Sequence, residues 1–267
     1  MKAAPISFER FEYKYWLTDA QVQAMRTLTA PHLRCDDFAL GGQRNTSLYL
    51  DSDDLDFLDL HVQKTPDRPK LRIRAYGNPP SGNAYFEVKR KIKRVTFKDR
   101  AVVPMDAVPA LLRGEIPKGL KLKNPAEMKT LEHFLYLMIV FKASPKVLIT
   151  CSREAFTSID SMEGVRLTFD RDICYQPARG PTLQGDPKAW VHLCGQMNYQ
   201  PEAPTLAELK FKNIAPRWVS DMVQRLQLQL SACSKYVMAM SLEALGGDGL
   251  IGPDLAQAAP PPQGERV

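Results

Sequence analysis

A chain of 267 residues, 44% hydrophobic and 25% charged, has the composition of an ordinary globular protein and enough length to bury a substantial core. Its formal charge of +6 is unevenly placed: residues 70–100 hold ten Lys and Arg against Glu87 and Asp99, a local balance of +8 that leaves −2 for the remainder. That distribution excludes a generally basic protein and points to an anionic partner for one segment.

In chain order, "ISFERFEYKYW" alternates Phe11, Tyr13 and Tyr15 with Arg10, Glu12 and Lys14, a strand pattern. "LTDAQVQAMRTLTA" follows with Thr18 as a cap and helical spacing. "NTSLYLDS" predicts a strand and "DLDFLDLHVQ" a helix. "KLRIRAYG" and "AYFEVKRKIKR" predict a hairpin around "NPPSGN", with "VTFKDRAVVP" as a further strand. A helical section covers roughly 105–141. Strands return at "KVLITCSREAF", "VRLTFDRDICYQ" and "TLAELKFKN", and helices at "PRWVSDMVQRLQLQL" and "SKYVMAMSLEALG". The expectation is one domain over 1–245 and a disordered Pro/Gly/Ala-rich tail over 246–267.

The five cysteines are scattered, with no C-x-x-C and no zinc spacing, which fits a reduced, cytoplasmic compartment. The N-terminal stretch lacks an apolar signal core, and the longest apolar run, "FLYLMIVF", is too short to span a bilayer; a soluble chain is expected. His32, His61, His133 and His192 stand isolated and read as structural or surface groups. No phosphate-binding G-x-x-x-x-G-K-[ST] loop is present; "GEIPKGLK" lacks its ending.

Strand phase carries the functional signal. Lys70, Arg72 and Arg74 share a face opposite Leu71, Ile73 and Ala75. Glu87, Lys89, Lys91 and Lys93 oppose Phe86, Val88 and Ile92, and Lys98 shares its parity with Arg100. Arg166, Thr168 and Asp170 oppose Val165, Leu167 and Phe169, and Glu208 and Lys210 oppose Ala207, Leu209 and Phe211. Two arrangements fit six such strands. Either the charged faces are solvated over an apolar core, or they point inward while amphipathic helices cover the apolar faces. In the second case an anion must compensate the repulsion among buried cations. Glu12, Glu87 and Asp170 read either as further metal ligands or as ion-pair partners between the cationic rows. Arg153 shares the parity of Val147 and Ile149, so joining the charged face would need a bulge. Arg90 and Arg94 share the face of Phe86 and Val88 and are expected at the rim.

The ordered segments "ERFEYKYW", "SLYLDS", "KLRIRAYG", "FEVKRK", "FKDR", "VRLTFDRD", "LAELKFKN" and "CSKYVMAM", spanning about 8–242, resemble VTC-type polyphosphate polymerase domains of the triphosphate tunnel metalloenzyme superfamily. The resemblance implies an α+β fold built on a closed antiparallel eight-stranded β-barrel with flanking helices. It implies transfer of the terminal phosphoryl group of ATP onto an inorganic polyphosphate chain inside that barrel. The matching positions are Lys14, Arg72, Arg74, Lys89, Lys98 and Arg166, expected in catalysis, and Lys235, expected in substrate binding; Arg10, Lys91, Arg100 and Lys210, on the same charged strand faces, are expected to bind substrate with it. Glu208 corresponds to the metal-binding glutamate, with Mn²⁺ or Mg²⁺ as the ion. Some family members carry a further Lys one turn before Lys235, where this chain has Ser231 or Ala232. Superfamily hydrolases open with E-x-E-x-K, whereas this chain reads Arg10-Phe11-Glu12-Tyr13-Lys14, a departure that favours the polymerase branch.

Two other functions remain open at this level: a metal-dependent inorganic or nucleoside triphosphatase, and a non-catalytic polyphosphate-binding module. A nucleic-acid partner is not expected, since Tyr85, Phe86 and Phe97 form no stacking platform among the cations. Family relatives work beside membrane subunits, which implies a possible membrane-protein partner.

Overall fold

The computed structural model describes residues 10–36, 41–92, 95–193, 205–212, 214–231 and 233–244. Ten strands form one antiparallel sheet: β1 (Arg10–Leu17), β2 (Leu33–Cys35), β3 (Gln43–Asp51), β4 (Asp67–Gly77), β5 (Pro80–Ile92), β6 (Val95–Pro104), β7 (Ser144–Ser158), β8 (Arg166–Pro177), β9 (Val191–His192) and β10 (Thr205–Lys212). Its main path runs β1-β10-β8-β7-β3-β4-β5-β6, with β2 on β7 and β9 on β8. The helices are α1 (Asp19–Thr29), α2 (Asp56–Val62), α3 (Val108–Leu112), α4 (Pro125–Val140), α5 (Arg217–Arg225) and α6 (Lys235–Ala244). The eight strands of the path are those the alternation predicts; β2 and β9, three and two residues long, carry too little pattern to announce themselves.

Local chemistry sets the helix starts. Thr18 accepts from the backbone N–H of Gln21 while Gln21 Oε1 accepts from the Thr18 N–H, a reciprocal capping box that opens α1. Asn124 caps α4 by accepting from the Glu127 N–H, and Pro125 sits at the first helical position, where its missing N–H loses nothing.

The outward faces of the strands are apolar and helix-covered. Leu71, Ile73, Phe86, Val88, Ala101 and Val103 pack beneath Leu131, Phe134, Leu135 and Met138 of α4. Tyr15, Leu17, Leu167, Phe169, Leu209 and Phe211 pack beneath Val22 and Met25 of α1 and Val219 and Met222 of α5. A third cluster lies on the inner side: Tyr49, Val147, Ile149, Ile173 and Tyr175 enclose Tyr236, Ala239 and Leu242 of α6. So α6 fills one part of the concave face, and charged side chains occupy another.

The sheet is not the closed barrel expected from the sequence. β1 and β6 are the two ends of the strand path, and no pairing joins them among the described residues. The physical reason is visible in β6, where Phe97, Lys98, Asp99 and Arg100 are all exposed: a strand with charge on both faces resists edge-to-edge pairing. Alternation and strand count specify which side chains share a face, but they hold no term for the last pairing that would close a ring. The sheet is nonetheless strongly bent. Five inter-strand steps separate β4 from β1, about 24 Å if flat at ~4.8 Å per strand, yet Lys70 of β4 donates to Ser234 Oγ at 2.9 Å and Lys14 of β1 to the carbonyl of the adjacent Cys233 at 2.8 Å. The result is a trough. Residues 246–267, expected to be a tail, lie outside the described residues.

Candidate functional site: a basic trough

Pairing fixes what lines the trough. Tyr49 is the register partner of both Arg72 and Val147, and Ser47 of both Arg74 and Ile149, so these side chains share the concave side. On the other arm, Lys14 stands opposite Glu208, Glu12 opposite Lys210, and Glu208 opposite Thr168. Ten cations gather here: Lys14, Lys70, Arg72, Arg74, Lys89, Lys98, Arg100, Arg153, Lys210 and Lys235. Four carboxylates, Glu12, Glu87, Asp170 and Glu208, oppose them.

In this structure all four carboxylates are ion-pair partners of the cations around them. Glu87, fully buried, accepts from Arg72 Nε at 2.9 Å and again from Arg72 Nη2, from Arg100 Nε at 3.0 Å and Nη2 at 2.8 Å, and lies 2.6 Å from Lys98 Nζ. Burial alone would raise its carboxyl; Arg72, Arg74 and Lys98 hold it well below the usual range instead. Asp170 accepts from Arg153 Nε and Nη2, both at 2.5 Å, and from Lys235 Nζ at 2.6 Å. Those cations overcome its burial and pull it down to about 2. Glu208 accepts from Lys210 Nζ at 3.0 Å and Lys235 Nζ at 3.3 Å, and Glu12 lies 3.1 Å from Lys14 Nζ. Lys14 Nζ also donates to the Cys233 carbonyl at 2.8 Å.

Three cations have no carboxylate within ion-pair distance among the described residues. Arg74 donates only to Ser47 Oγ, at 3.2 Å, and burial with Arg72 and Arg153 nearby pushes its pKa down. Lys70 donates to Ser234 Oγ at 2.9 Å; burial, Lys14 and Arg72 lower it to about 7. Lys89 has no hydrogen-bond or ion-pair partner in that set, and burial with Arg72 and Lys210 drives it well below the ordinary lysine value. Two buried polar atoms on the same side are also unpartnered: Asn45 Nδ2 and Thr168 Oγ1. A face with surplus cations and unfilled hydrogen-bonding capacity suits a multivalent anion.

Other expected positions fall elsewhere. Arg166 sits at the exposed end of β8, the register partner of Lys210, but its own ion pair at 3.1 Å is with Asp36 rather than with a trough carboxylate. Arg90 is exposed and grips Asp67 through Nε at 2.8 Å and Nη2 at 2.5 Å, as its parity predicts. The side chains of Arg10 and Lys91 lie outside the described residues.

Arg153 is a residue that parity misjudged. It does share a face with Val147 and Ile149, but that face is the concave one, because α6 presents Tyr236 and Ala239 to them. A bulge is present, but on β8: the register shifts between Thr150 and Ser152 of β7, where Asp172 adopts a φ of 48°. The only cue in the sequence was Arg153 itself, a cation inside an apolar strand.

Of the trough carboxylates, Glu208 is the one the sequence resemblance assigns to a divalent ion. Both oxygens of Glu208 are occupied by Lys235 and Lys210, yet its pKa lies well below the usual range through Lys210, Lys235 and Arg153, so it stays anionic. Glu208 therefore fits an ion whose other ligands are the oxygens of a bound phosphate, rather than an ion held by protein alone.

An open, bent antiparallel sheet with a cation-rich trough and helix-covered outer faces defines the class. Residues 9–243 match the VTC domain, and the chain belongs to that family. It is 27% identical over 203 residues to vacuolar transporter chaperone complex subunit 4 of Schizosaccharomyces pombe, covering 67% of this chain and 28% of that protein. The chain thus spans under a third of the relative's length. Solved structures of the PH1819 protein of Pyrococcus horikoshii OT3 and of a putative adenylate cyclase from Vibrio parahaemolyticus are more distant. They show TM-scores of 0.44 and 0.42 at 9% and 10% identity, over 87% and 86% of this chain and 98% of each of theirs. No helix among the described residues is long and apolar enough to cross a membrane.

Proposed function

We propose that the chain is an ATP-dependent polyphosphate polymerase, transferring the terminal phosphoryl group of ATP to a phosphate chain held along the basic trough. One observation carries this reading: ten cations against four carboxylates on one concave face, with Arg74, Lys70 and Lys89 left without acidic partners among the described residues. Membership of the VTC family supports it.

Phosphoryl transfer passes through a loose transition state whose charge sits on peripheral oxygens, so positioning and electrostatic stabilisation supply most of the catalysis. Arg72 and Arg74, two residues apart on one face, would fork onto adjacent phosphoryl groups, Arg72 steadied by Glu87 and by Tyr49 Oη at 3.3 Å. Lys89 would add to them on the same arm, while Lys14, Lys210 and Lys235 would neutralise the chain on the opposite arm. The terminal oxygen of a polyphosphate acceptor is anionic at neutral pH, so no side-chain base is needed. A divalent cation, Mn²⁺ or Mg²⁺, held by Glu208 and phosphate oxygens, would offset further negative charge. The yeast relative is named as a subunit of a complex, and this chain would likewise work beside further subunits, a membrane protein among them.

Incubation of the purified chain with ATP and Mn²⁺ or Mg²⁺, followed by gel analysis of the products, tests the reading. Long phosphate polymers support it. Free phosphate without polymer would make the protein a triphosphatase, and tight binding without turnover would make it a binding module. Glu208→Gln should abolish metal-dependent turnover.

A further inference from the structure

On the other side of the sheet from the trough, β8 and β9 bring three unlike ligands together. Cys174 and His192 are direct register partners, and Asp172 lies two residues before Cys174 at the bulge. Cys174 Sγ is 3.4 Å from His192 Nδ1 and 3.5 Å from Asp172 Oδ1, and His192 Nδ1 is 3.6 Å from the same Oδ1. Cys174 is buried, whereas Asp172 and His192 are exposed and open to solvent. Among the described residues this is the one such grouping of His, Cys, Asp or Glu.

We propose that Asp172, Cys174 and His192 form a Zn²⁺ site with an open fourth position. A tetrahedral Zn²⁺, with bonds of about 2.3 Å to sulfur and about 2.0 Å to nitrogen and oxygen, has ligand-to-ligand edges of roughly 3.3–3.5 Å. The two edges to sulfur match that triangle, and the N···O edge, at 3.6 Å, needs to close by only about 0.3 Å to hold one small ion. The mixture selects the ion's class: thiolate and imidazole suit Zn²⁺ and its borderline-soft neighbours and do not suit Mg²⁺ or Mn²⁺. Arg44 orients the carboxylate. It donates from Nη2 to Asp172 Oδ2 at 2.5 Å and from Nη1 to the Asp172 carbonyl at 3.3 Å, which holds Oδ1 toward the sulfur and the ring. On binding, Cys174 gives its thiol proton to solvent as the metal–sulfur bond forms, neutral His192 offers Nδ1, and water takes the fourth position. The site would pin β9, a two-residue strand, to the β8 bulge. Sequence spacing concealed it because the third ligand comes 18 residues after Cys174.

Titration of the chelator-stripped full chain with Co²⁺, read by absorption, tests the site. One Co²⁺ per chain should give a thiolate-to-metal band in the near ultraviolet with visible d–d bands, displaced by Zn²⁺ but not by Mg²⁺. Cys174→Ser should remove the near-ultraviolet band. His192→Gln, a substitution at an exposed position that leaves folding intact, should weaken Co²⁺ affinity about tenfold or more. Glu208→Gln, in the trough, should leave the spectrum unchanged. Absence of the band in the wild-type chain, its survival in Cys174→Ser, or undiminished affinity in His192→Gln would overturn the proposal.

Discussion

Lys89 and Arg90 are neighbours in sequence and opposites in circumstance. Lys89 points into the trough among Arg72 and Lys210, without a carboxylate of its own. Arg90 stands in solvent, paired with Asp67. Removing Lys89 deletes a charge-assisted contact to a phosphate in a partly desolvated site, on the order of 2–4 kcal/mol of transition-state stabilisation. Lys89→Ala should therefore lower kcat/KM by about a hundredfold or more, while Arg90→Ala changes it by less than about threefold, as an exposed ion pair contributes little. Equal losses in steady-state assays of the two variants would mean that this face does not hold substrate. Lys70 adds a pH signature. Its folded pKa of about 7 lies below the unfolded value, so the unfolded chain binds more protons between roughly pH 7 and 10, and the free protein gains stability as pH rises through that window. A bound polyanion favours the charged ammonium. Tripolyphosphate binding near pH 8 should thus take up protons, measurable by calorimetry in buffers of different ionisation enthalpy, and Lys70→Met should diminish the uptake.

At the scale of elements, the phase of β4, β5 and β6 was legible because a strand's two-residue period leaves a charged side chain only two choices, and Leu71, Ile73, Phe86 and Val88 claimed the helix-covered one. The phase of β7 was harder to place. Val147 and Ile149 look like any outward apolar pair, and nothing in their spacing tells that α6 meets them from inside. Arg153 was misassigned for that reason. Closure was misjudged for another: a barrel and a bent open sheet share every alternation and differ in one missing pairing. Within β4–β6 the ion-pair arrangement makes its own forecast. Glu87 gathers Arg72, Lys98 and Arg100 across three strands, and glutamine there would leave those cations facing one another. Glu87→Gln should destabilise the free protein by about 3–5 kcal/mol, the range for breaking a buried pair from one side. Urea denaturation checks this. A loss below about 1 kcal/mol would show that water, not Glu87, compensates these charges.

For the whole molecule, the trough concentrates its surplus charge in one place. With every group in its ordinary ionised form, the ten cations and four carboxylates there leave a formal surplus of six, as large as the formal charge of the entire chain. Folding brings those charges together, and the three without acidic partners among the described residues are held at a disadvantage that the outer cores under α1, α4 and α5 must outweigh. An anion that binds only the assembled trough reverses that disadvantage and adds mass-action stabilisation of about 2.7 kcal/mol at a hundred times its Kd. For a chain of this size that corresponds to a rise in Tm of about 5–10 °C. The rise should grow from phosphate to tripolyphosphate to longer chains at equal phosphate concentration, since a longer chain reaches both arms of the trough. It should also shrink with added salt, as screening weakens every cation–phosphate contact. Differential scanning fluorimetry across chain length and ionic strength measures both trends. A shift no larger for long chains than for single phosphate ions would mean that the two arms bind separately and that no extended polymer lies along the face.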